Sequence, residues 1–532
     1  MSKDIRIEGK SYKNDFAHSG FRIGSASGSI WGADNRITKP LSEQRLHNNG
    51  EKNAINGLGG VPDPSGKHLT YYVFTYGCQM NVYDSEILSA LMEAAGYFPC
   101  AEPEQADVVI FNTCCIRDNA DQKVYGRLGD FKKSREKNEN FVLVVAGCLA
   151  QKDKEELTQR FPQIDIVIGT HQVRHVAELV QQVLEERHQI VAVERTEAGA
   201  YGDGYIRGSE VASEASKGAS KQHGNHLDLP AQPQSVFQAK VPISVGCNQW
   251  CTYCIVPYVR GPLKSRPLSW IKAEVQRLAV GGWREIMLLG QNVNDYGHDL
   301  EGGVDFATLL TSLKDIPGLE RLRFTSPHPA FFTDRVIEAM ADNPSVCEHV
   351  HLPLQSGDNE ILKKMKRGYT AEEFLELVAK LRQAIPNLGI TTDIIVGYAD
   401  ETEEQFANTL SVVDAAQFDS AFMFAYSERP GTPGAIWPNR VPEEVRMDRL
   451  YRLIEKQNAI SESRHRQRLN QTVEVLAEGP SKKDPGRFTG RTRQNWLVHF
   501  PCNTDLTGYM VRVSLDEAYM WGFVGKIIEV IG

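Results

Sequence analysis

Three cysteines, Cys247, Cys251 and Cys254, lie in one short segment at Cys-x3-Cys-x2-Cys spacing. A [4Fe–4S] cluster is normally held by four thiolates, and no fourth cysteine lies close to these three in the sequence. A cluster bound here would leave one iron open for an external ligand, such as the amino and carboxylate groups of S-adenosylmethionine. Such an arrangement generates radicals, so the segment predicts radical chemistry.

A structural zinc site is the alternative for these cysteines. Zinc knuckles usually pair one Cys-x2-Cys with a second pair close behind it. Here Cys347 and Cys502 are distant, and residues 255–262 have the character of a packed loop. The spacing therefore favours an iron–sulfur cluster over zinc.

The segment 246–266 resembles the methylthiotransferase branch of the radical S-adenosylmethionine superfamily. The resemblance implies a [4Fe–4S] cluster at the three cysteines and S-adenosylmethionine as cofactor. In that family the cluster reduces S-adenosylmethionine to methionine and a 5′-deoxyadenosyl radical. The radical then abstracts a hydrogen atom from an unactivated carbon, so that the cofactor supplies the difficult chemistry.

Length and composition limit the possible classes of protein. The chain has 532 residues, which suggests about three domains. Its net charge of −9 gives no overall attraction to nucleic acid, so any RNA site must be a local patch. Ten cysteines in so long a chain fit a reducing compartment. No apolar run reaches the ~18 residues of a membrane span, and the first residues lack a targeting pattern, so we expect a cytoplasmic protein with no membrane partner.

Changes in composition divide the chain into five segments, and the overall fold class is predicted to be α/β. Two segments are polar and rich in Gly and Ser, which is typical of disordered or linking chain. The predicted segments are a disordered or loosely attached extension (1–68), an N-terminal open parallel α/β domain (69–194), a linker (195–237), a central domain (238–469) and a C-terminal β-rich domain (470–532).

The first folded segment contains four β-rich runs with helical patterns between or after them, which predicts a parallel sheet. The runs are residues 71–75, 107–111, 141–145 and 164–168. Cys78, Cys114 and Cys148 each follow one of the first three runs. Because the carboxyl ends of parallel strands share one edge, these thiolates could converge and hold a second open cube. Three unrelated core cysteines are the alternative, but their repeated placement after strands disfavours it.

The same three cysteine segments, residues 75–81, 112–117 and 146–148, resemble the cysteine motifs of the methylthiotransferase N-terminal domain. The resemblance implies that Cys78, Cys114 and Cys148 hold an auxiliary [4Fe–4S] cluster. Cys115 directly follows Cys114 and is a second candidate ligand, but the position within the motif favours Cys114.

The central segment alternates strands and helices six times, which fits the partial (β/α)6 barrel of radical S-adenosylmethionine enzymes. The predicted strands are residues 241–245, 285–289, 321–325, 349–354, 390–396 and 421–426. Active sites of such barrels lie at the carboxyl ends of the strands. Position and family resemblance together give the candidate cofactor-binding residues Gly290, Gln291, Asn292, Gln355, Arg367 and Gly397.

Two further arginines and one departure from the family pattern belong to the same segment. Arg260 and Arg266 match family positions at which a charge could meet the cofactor carboxylate or RNA phosphates. For His328, which follows the third strand, a functional role and a structural hydrogen bond agree equally well with the sequence.

After the fifth strand, residues 397–402 read Gly-Tyr-Ala-Asp-Glu-Thr where the family commonly has Gly-Phe-Pro-Gly-Glu-Thr. The rigid proline turn is absent from this loop.

The C-terminal segment resembles a TRAM domain, a small RNA-binding β-barrel, with predicted strands at 473–477, 496–500, 509–513 and 525–530. Its residues 487–496 place aromatic side chains among arginines, which suits phosphate contact and base stacking. A solvated charged face is the alternative. The family match favours RNA binding, with Arg487, Arg491, Arg493 and Asn495 as candidate contacts.

Residues 76–81 and 122–129 are most similar to the MiaB-type branch of the methylthiotransferases. That resemblance implies conversion of N6-isopentenyladenosine, in the anticodon loop of tRNA, to its 2-methylthio derivative. It also implies two [4Fe–4S] clusters, an electron donor such as flavodoxin or ferredoxin, and a monomer. The alternatives are methylthiolation of threonylcarbamoyladenosine or of a ribosomal protein, and a noncatalytic iron–sulfur protein that binds RNA.

Overall fold

The computed structural model describes residues 68–115, 118–195 and 233–531. Of the predicted extension (1–68) and linker (195–237), residues 1–67 and 196–232 lie outside the described residues, as do Ile116 and Arg117 of one cysteine motif. Within the described ranges, no helix is long and apolar enough to cross a membrane.

The N-terminal domain is built around a parallel sheet. Its elements are β1 (Thr70–Thr75), α1 (Gln79–Ala94), β2 (Phe98–Pro99), β3 (Val108–Thr113), α2 (Asp118–Asp130), α3 (Ser134–Lys137), β4 (Val142–Gly147), α4 (Cys148–Asp153), α5 (Glu155–Arg160), β5 (Ile166–Ile168), α6 (Val176–Glu186) and β6 (Ile190–Ala192). The six strands lie in the order β2-β1-β3-β4-β5-β6 and all pair in parallel.

Strands β3 and β4 are buried along their whole length, as expected when both faces of a parallel sheet are covered. Alternate side chains enter two separate apolar cores, with Val144 in one and Val145 in the other. The predicted parallel α/β domain is thus confirmed. The edge strands β2 and β6 are additional to the prediction, because runs of two and three residues give too little sequence pattern to detect.

The central domain is a partial barrel of six parallel strands. Its elements are β7 (Gln238–Pro242), β8 (Ser244–Val245), α7 (Val256–Arg260), β9 (Lys264–Ser265), α8 (Leu268–Val280), β10 (Glu285–Leu289), α9 (Phe306–Ser312), β11 (Arg321–Phe324), α10 (Asp334–Asp342), β12 (His349–His351), α11 (Asn359–Lys364), α12 (Ala371–Ala384), β13 (Gly389–Val396), α13 (Glu403–Ala416), β14 (Ser420–Ala425) and α14 (Glu443–Arg466).

The barrel strands form two three-stranded sheets, β7-β10-β11 and β12-β13-β14, which a bridge between Leu322 and Val346 joins. Two strands differ from the prediction. The first has the predicted length but lies three residues earlier, at Gln238–Pro242, and Ser244–Val245 pairs separately with β9. The fourth ends at His351 because Pro353, two residues further on, has no N–H to extend the ladder.

The C-terminal domain is a closed barrel with strand order β15-β16-β17-β19-β18. Its strands are β15 (Thr472–Pro480), β16 (Arg487–Thr492), β17 (Leu497–Pro501), β18 (Met510–Tyr519) and β19 (Gly522–Val530). The predicted small barrel is confirmed, but β16 lies in the run that the sequence suggested as an RNA-contacting segment. Its alternating burial shows that Phe488 and Thr492 face the interior of this barrel.

The two outer domains contact different parts of the central barrel. Helix α1 packs against Met287 and Leu289 of β10, whereas the neighbouring Ile286 and Leu288 face the barrel's own helices. The C-terminal domain instead covers the amino ends of the central strands, where Arg323 Nη2 donates to the Thr492 carbonyl at 2.7 Å. The carboxyl ends of the central strands therefore face away from the C-terminal domain.

Candidate functional site

The loop that carries Cys247, Cys251 and Cys254 leaves β8 through a turn that requires glycine. Gly246 has φ of 77°, and a Cβ atom there would lie 2.0 Å from the Pro262 carbonyl oxygen. The Gly246 N–H donates to Oε1 of Gln291 at 2.5 Å. Gln291, predicted as a cofactor ligand, thus positions the cysteine loop from the end of β10.

Thr252 anchors the part of the loop between the second and third cysteines. Its N–H donates to the Met365 carbonyl at 3.2 Å, and its hydroxyl donates to the Lys364 carbonyl at 2.6 Å. The same hydroxyl lies 2.6 Å from the Tyr398 hydroxyl, and the Thr252 carbonyl accepts from the Gly434 N–H at 2.7 Å. Tyr398 belongs to the loop that departs from the family pattern, so this loop directly supports the cysteines.

The three thiols lie in an environment suited to metal-bound thiolates. Cys247 and Cys251 are only 8% and 7% exposed. Burial raises the pKa of Cys247 to about 11 and that of Cys254 to about 12, because a buried anion loses its hydration. Positive charge must therefore be present before these thiols ionise, and a metal cluster supplies it. Nη1 of Arg367 lies 3.5 Å from Cys251 Sγ and adds a fixed positive charge.

Buried polar atoms collect at the carboxyl ends of the barrel strands, beside the cysteine loop. Four side chains there have polar atoms without a hydrogen-bond partner in the described part of the chain: Ser244 Oγ, both amide atoms of Asn292, His328 Nε2 and Gln355 Oε1. Each unsatisfied buried group costs about 1–3 kcal/mol. Such a collection fits a polar ligand with several donors and acceptors, as S-adenosylmethionine is.

His328 and Arg367 belong to the same polar region. Burial and, secondarily, the charge of Arg367 lower the pKa of His328 to about 2, so the imidazole is neutral. Its Nδ1 accepts from the Ala330 N–H at 3.3 Å. His328 therefore offers its second nitrogen to a ligand without bringing a charge. The sequence left its role open, and Ser244 was not among the predicted site residues although it lies two residues beyond the end of β7.

The glycines of the predicted site have roles in packing. A Cβ atom on Gly290 would lie 2.9 Å from Ser244 Oγ. Gly397 has φ of 72°, and a Cβ atom there would lie 2.2 Å from the Arg446 side chain. Both keep the ends of β10 and β13 closely packed. Among the predicted cofactor residues, Arg367 contacts the cysteine loop, and Asn292 and Gln355 lie beyond the carboxyl ends of β10 and β12.

The second cysteine group lies at the carboxyl edge of the N-terminal sheet. Cys78 precedes the first residue of α1, Cys114 follows β3 and Cys148 begins α4. Gly77 allows the first two to approach, since a Cβ atom on it would lie 2.6 Å from Cys114 Cβ. Their convergence at one edge agrees with the prediction, and their role as cluster ligands stays a prediction.

Two buried asparagines join the cysteine segments of this edge. Asn81 Oδ1 accepts from the backbone N–H of Cys78 at 3.3 Å, and its Nδ2 donates to the Thr113 carbonyl at 3.0 Å. Asn112 Nδ2 donates to the Asn81 carbonyl at 2.7 Å. These bonds fix the turn after β1 to the end of β3, so Cys78 and Cys114 are held on one rigid frame.

Cys115 lies against Cys148. A hydrogen bond between their side chains lowers the pKa of Cys148 and raises that of Cys115, and the burial of both groups opposes ionisation. Both are 1% exposed and belong to one apolar core. Cys115 is therefore close enough to the edge to remain the second candidate beside Cys114.

Helix α7, which directly follows the central cysteine loop, contacts the N-terminal domain beside the second cysteine group. Val259 packs in the same core as Cys115 and Cys148, and its carbonyl accepts from the Thr170 hydroxyl at 2.6 Å. At the end of the helix, Arg260 Nη2 lies 2.7 Å from Asp84 Oδ2, with both side chains buried. The two cysteine groups thus face a shared interface between the domains.

This geometry changes the interpretation of two arginines. Arg260 was expected to meet a cofactor carboxylate or phosphate, but it pairs with Asp84 across the domain interface. Arg266 donates to the Pro242 carbonyl and pairs with Glu274, both at 2.7 Å. Both guanidinium groups therefore stabilise the fold around the cysteine loop.

Within the described ranges, no three His, Cys, Asp or Glu side chains surround the position of a single metal ion. A structural zinc site needs four ligands on one ion. A four-iron cube does not, because each thiolate binds a different iron.

The predicted RNA contacts of the C-terminal domain lie mostly against the central barrel. Arg493 Nε lies 2.8 Å from Glu348 Oε2, and its Nη2 donates to the Val346 carbonyl at 2.7 Å. Arg491 Nη1 donates to the carbonyl of Asn495, which occupies a turn with φ of 69°. These contacts assign the side chains of Arg491 and Arg493 to packing within the protein, whereas the RNA contact of the Asn495 side chain stays a prediction.

Arg487 differs from the other arginines of this segment. Its side chain is 43% exposed and lies 3.2 Å from the carboxylate of Asp484. The predicted RNA contact of Arg487 stays a prediction.

Comparison with known families agrees with this arrangement. Residues 70–169 match the family model described as "Uncharacterized protein family UPF0004", and residues 241–413 match that of the Radical SAM superfamily. Each match contains one of the two cysteine groups. The chain is therefore a radical S-adenosylmethionine enzyme, and this class uses a [4Fe–4S] cluster and S-adenosylmethionine.

Relatives define the family more narrowly. A tRNA-2-methylthio-N(6)-dimethylallyladenosine synthase from Alkaliphilus oremlandii is 43% identical over 87% of this chain and 94% of its own. One from Carboxydothermus hydrogenoformans is 42% identical over 86% and 99%, and one from Clostridium novyi is 44% identical over 86% and 96%. The chain belongs to this family of transferases, as its cysteine motifs predicted.

A solved structure of the radical S-adenosylmethionine methyltransferase TsrM from Kitasatospora setae, with tryptophan and an S-adenosylmethionine analogue bound, aligns with a TM-score of 0.48. The two chains are 16% identical, and the alignment covers 70% of this chain and 75% of the other.

Proposed function

We propose that this protein attaches a methylthio group to carbon 2 of N6-isopentenyladenosine, at position 37 of tRNA. The reaction is the one that the names of its relatives describe. The observation that carries the proposal is that helix α7, which directly follows the central cysteine loop, packs through Val259 in the same core as Cys115 and Cys148. One active site between the domains could then use both groups on a single substrate.

In this proposal the central cysteines hold the cluster that works with S-adenosylmethionine. Asn292, Gln355 and His328 offer buried polar atoms to the cofactor, and Arg367 places its charge beside Cys251. When bound there, cluster and cofactor supply the radical chemistry that removes a hydrogen atom from an unactivated carbon. The protein orients the cofactor and keeps water away from it.

Cys78, Cys114 and Cys148 hold an auxiliary [4Fe–4S] cluster in this proposal. Its place at the edge of the N-terminal sheet would present the sulfur to be transferred. Asn81 and Asn112 keep the edge rigid, and Arg260 holds the N-terminal domain against the central cysteine loop. A fixed distance between the two groups matters because one adenosine must reach both.

The partners of the reaction are tRNA and a reductant. We propose an electron donor such as flavodoxin or ferredoxin, and a cytoplasmic protein that acts as a monomer. Carbon 2 of adenine bears a hydrogen that is neither a leaving group nor acidic enough for an ordinary base, which is why a radical enzyme fits this substrate.

Anaerobic reconstitution followed by nucleoside mass spectrometry tests the proposed function. With S-adenosylmethionine and a reductant, we expect the 2-methylthio derivative from isopentenylated tRNA. The control tRNA has the same sequence without the isopentenyl group and should give none. A product from threonylcarbamoylated tRNA alone would reassign the substrate. Cleavage of S-adenosylmethionine without product from any of these tRNAs would contradict the proposal.

A further inference from the structure

Trp250 is a large aromatic residue that is exposed in the cysteine loop, whereas Cys247, Cys251 and Thr252 of the same loop are buried. Its side chain is 57% exposed, whereas Cys247 and Cys251, on either side of it in sequence, are almost covered. Large aromatic side chains contribute most to stability when they are buried. An exposed tryptophan next to a candidate active site therefore indicates a contact with another molecule.

The ring of Trp250 is supported on one side. Its centroid lies 5.4 Å from that of Tyr258, and the ring planes are nearly perpendicular at 83°. An edge-to-face pair leaves at least one face of the indole ring uncovered by its neighbour. Tyr258 itself is held on α7, and its carbonyl accepts from the Arg195 guanidinium. The indole ring is thus supported while one face stays open.

Two exposed lysines lie on segments that contact the cysteine loop, which suits a nucleic acid. Lys264 is exposed on β9, which pairs with β8 just before the cysteine loop. Lys366 is exposed next to Met365, whose carbonyl accepts from the loop. Both could meet phosphates, while the indole face could meet a base. RNA-binding proteins commonly recognise unpaired loop bases by such stacking.

We propose that Trp250 stacks on an unpaired base of the tRNA anticodon loop, at or next to the adenosine that is modified. This inference rests on the proposed function, because the target adenosine must approach the cofactor beside the same loop. It gives tRNA a contact on the central domain, close to the cysteines. It also accounts for RNA binding without Arg491 and Arg493, which are engaged within the protein.

The test measures binding of an isopentenylated anticodon stem–loop RNA to the reconstituted protein by fluorescence anisotropy. We expect Trp250→Ala to weaken binding about tenfold, which corresponds to about 1.4 kcal/mol. The salt dependence should keep its slope, because a stacking contact releases no counterions. Trp250→Phe should stay within about threefold of the parent because it keeps an aromatic face.

Two controls separate stacking from damage to the fold. Tyr451→Ala removes another half-exposed aromatic side chain, on α14, and should bind like the parent. Trp250→Leu keeps apolar bulk without an aromatic ring and should bind as weakly as Trp250→Ala. Iron content and thermal unfolding of each variant report whether the loop is intact. If Trp250→Leu binds as tightly as the parent, stacking is excluded.

RNAs that each lack one loop base identify the stacked base. For the parent protein, one of these RNAs should bind more weakly than intact RNA. For Trp250→Ala, the same RNA and intact RNA should bind with equal affinity. If removal of each loop base lowers the RNA affinity of the parent and of Trp250→Ala by the same factor, the proposal is wrong. If RNA affinity is unchanged in Trp250→Ala while reduction by flavodoxin slows, the surface binds the electron donor. A parent protein that binds no RNA would instead contradict the proposed function.

Discussion

At the scale of single residues, the structure shows which contacts hold the central cysteine loop in place. Thr252 connects the loop to α11, to Tyr398 and to Gly434 through four hydrogen bonds. Gly246 and Gln291 fix the start of the loop. These contacts come from four parts of the central domain that are far apart in sequence, so the cysteine geometry depends on the complete fold.

Thr252→Val should destabilise the loop while keeping its shape. The variant removes the hydroxyl and leaves the buried Lys364 carbonyl and Tyr398 hydroxyl without this partner, which should cost about 1–3 kcal/mol. Thermal unfolding and iron content after anaerobic reconstitution measure the effect. Thr158→Val, at a surface hydroxyl that donates to the Glu155 carbonyl, is the matched control. Equal unfolding midpoints and iron contents for both variants would show that Thr252 does not anchor the site.

At the scale of elements, α7 joins the central cysteine loop to the N-terminal sheet. The ion pair between Arg260 and Asp84 links residues that are 176 positions apart in sequence. A buried ion pair adds little net stability compared with apolar residues of the same size, but loss of one partner is costly. The pair therefore acts mainly by fixing where the two elements meet.

Arg260→Met should lower stability by about 3–5 kcal/mol because it removes the guanidinium partner of a buried carboxylate. The double variant Arg260→Met, Asp84→Leu should recover part of this loss, and thermal unfolding measures both. Arg466→Met, at an exposed ion pair with Glu462, should change stability by less than about 1 kcal/mol. A single variant as stable as the parent would mean that the pair does not hold the interface.

The elements also show what the sequence could predict. The sequence predicted the existence of the buried strands β3 and β4 and of the six barrel strands, because local hydrophobicity determines such strands. Strand β16 was missed, since its alternating arginines, threonines and glycine resemble a polar loop. The cysteine groups were predicted from spacing and from their places after strands. The role of Arg260 was not, because its partner becomes a neighbour only in the folded chain.

At the scale of the whole molecule, the C-terminal domain packs against the amino ends of the central strands, away from the cysteine loop. Arg321, Arg323 and Arg493 carry this interface through contacts to Glu474, Thr492 and Glu348. The sequence could not distinguish such arginines from RNA-binding ones, because both kinds occur in basic, aromatic-rich segments. The distinction depends on which charges remain exposed after docking.

Arg493→Ala and Arg487→Ala should therefore have different effects. Arg493→Ala removes contacts between domains, so we expect faster proteolysis between the central and C-terminal domains and an unchanged salt slope of tRNA binding. Arg487→Ala should leave proteolysis unchanged and lower the salt slope by about one, as expected for one lost phosphate contact. If Arg493→Ala instead lowers the salt slope and leaves proteolysis unchanged, Arg493 is an RNA contact.

Iron content tests the number of clusters. Anaerobically reconstituted protein should hold about eight iron atoms, because it presents two separate three-thiolate groups. Replacement of Cys247, Cys251 and Cys254 by alanine should leave about half of this iron. A protein with zinc alone, or a triple variant with the iron content of the parent, would contradict the assignment.

The two cysteine groups should have separable functions, because each belongs to its own domain. Replacement of Cys78, Cys114 and Cys148 by alanine should preserve reductive formation of 5′-deoxyadenosine, since the predicted cofactor-binding residues lie at the other group. The same variant should form no methylthio product. Replacement of Cys247, Cys251 and Cys254 should abolish 5′-deoxyadenosine but keep methyl transfer from S-adenosylmethionine to enzyme-bound sulfur. Liquid chromatography with mass spectrometry measures all three products, and a 2-methylthio nucleoside from the first variant would show that the N-terminal group is not the sulfur platform.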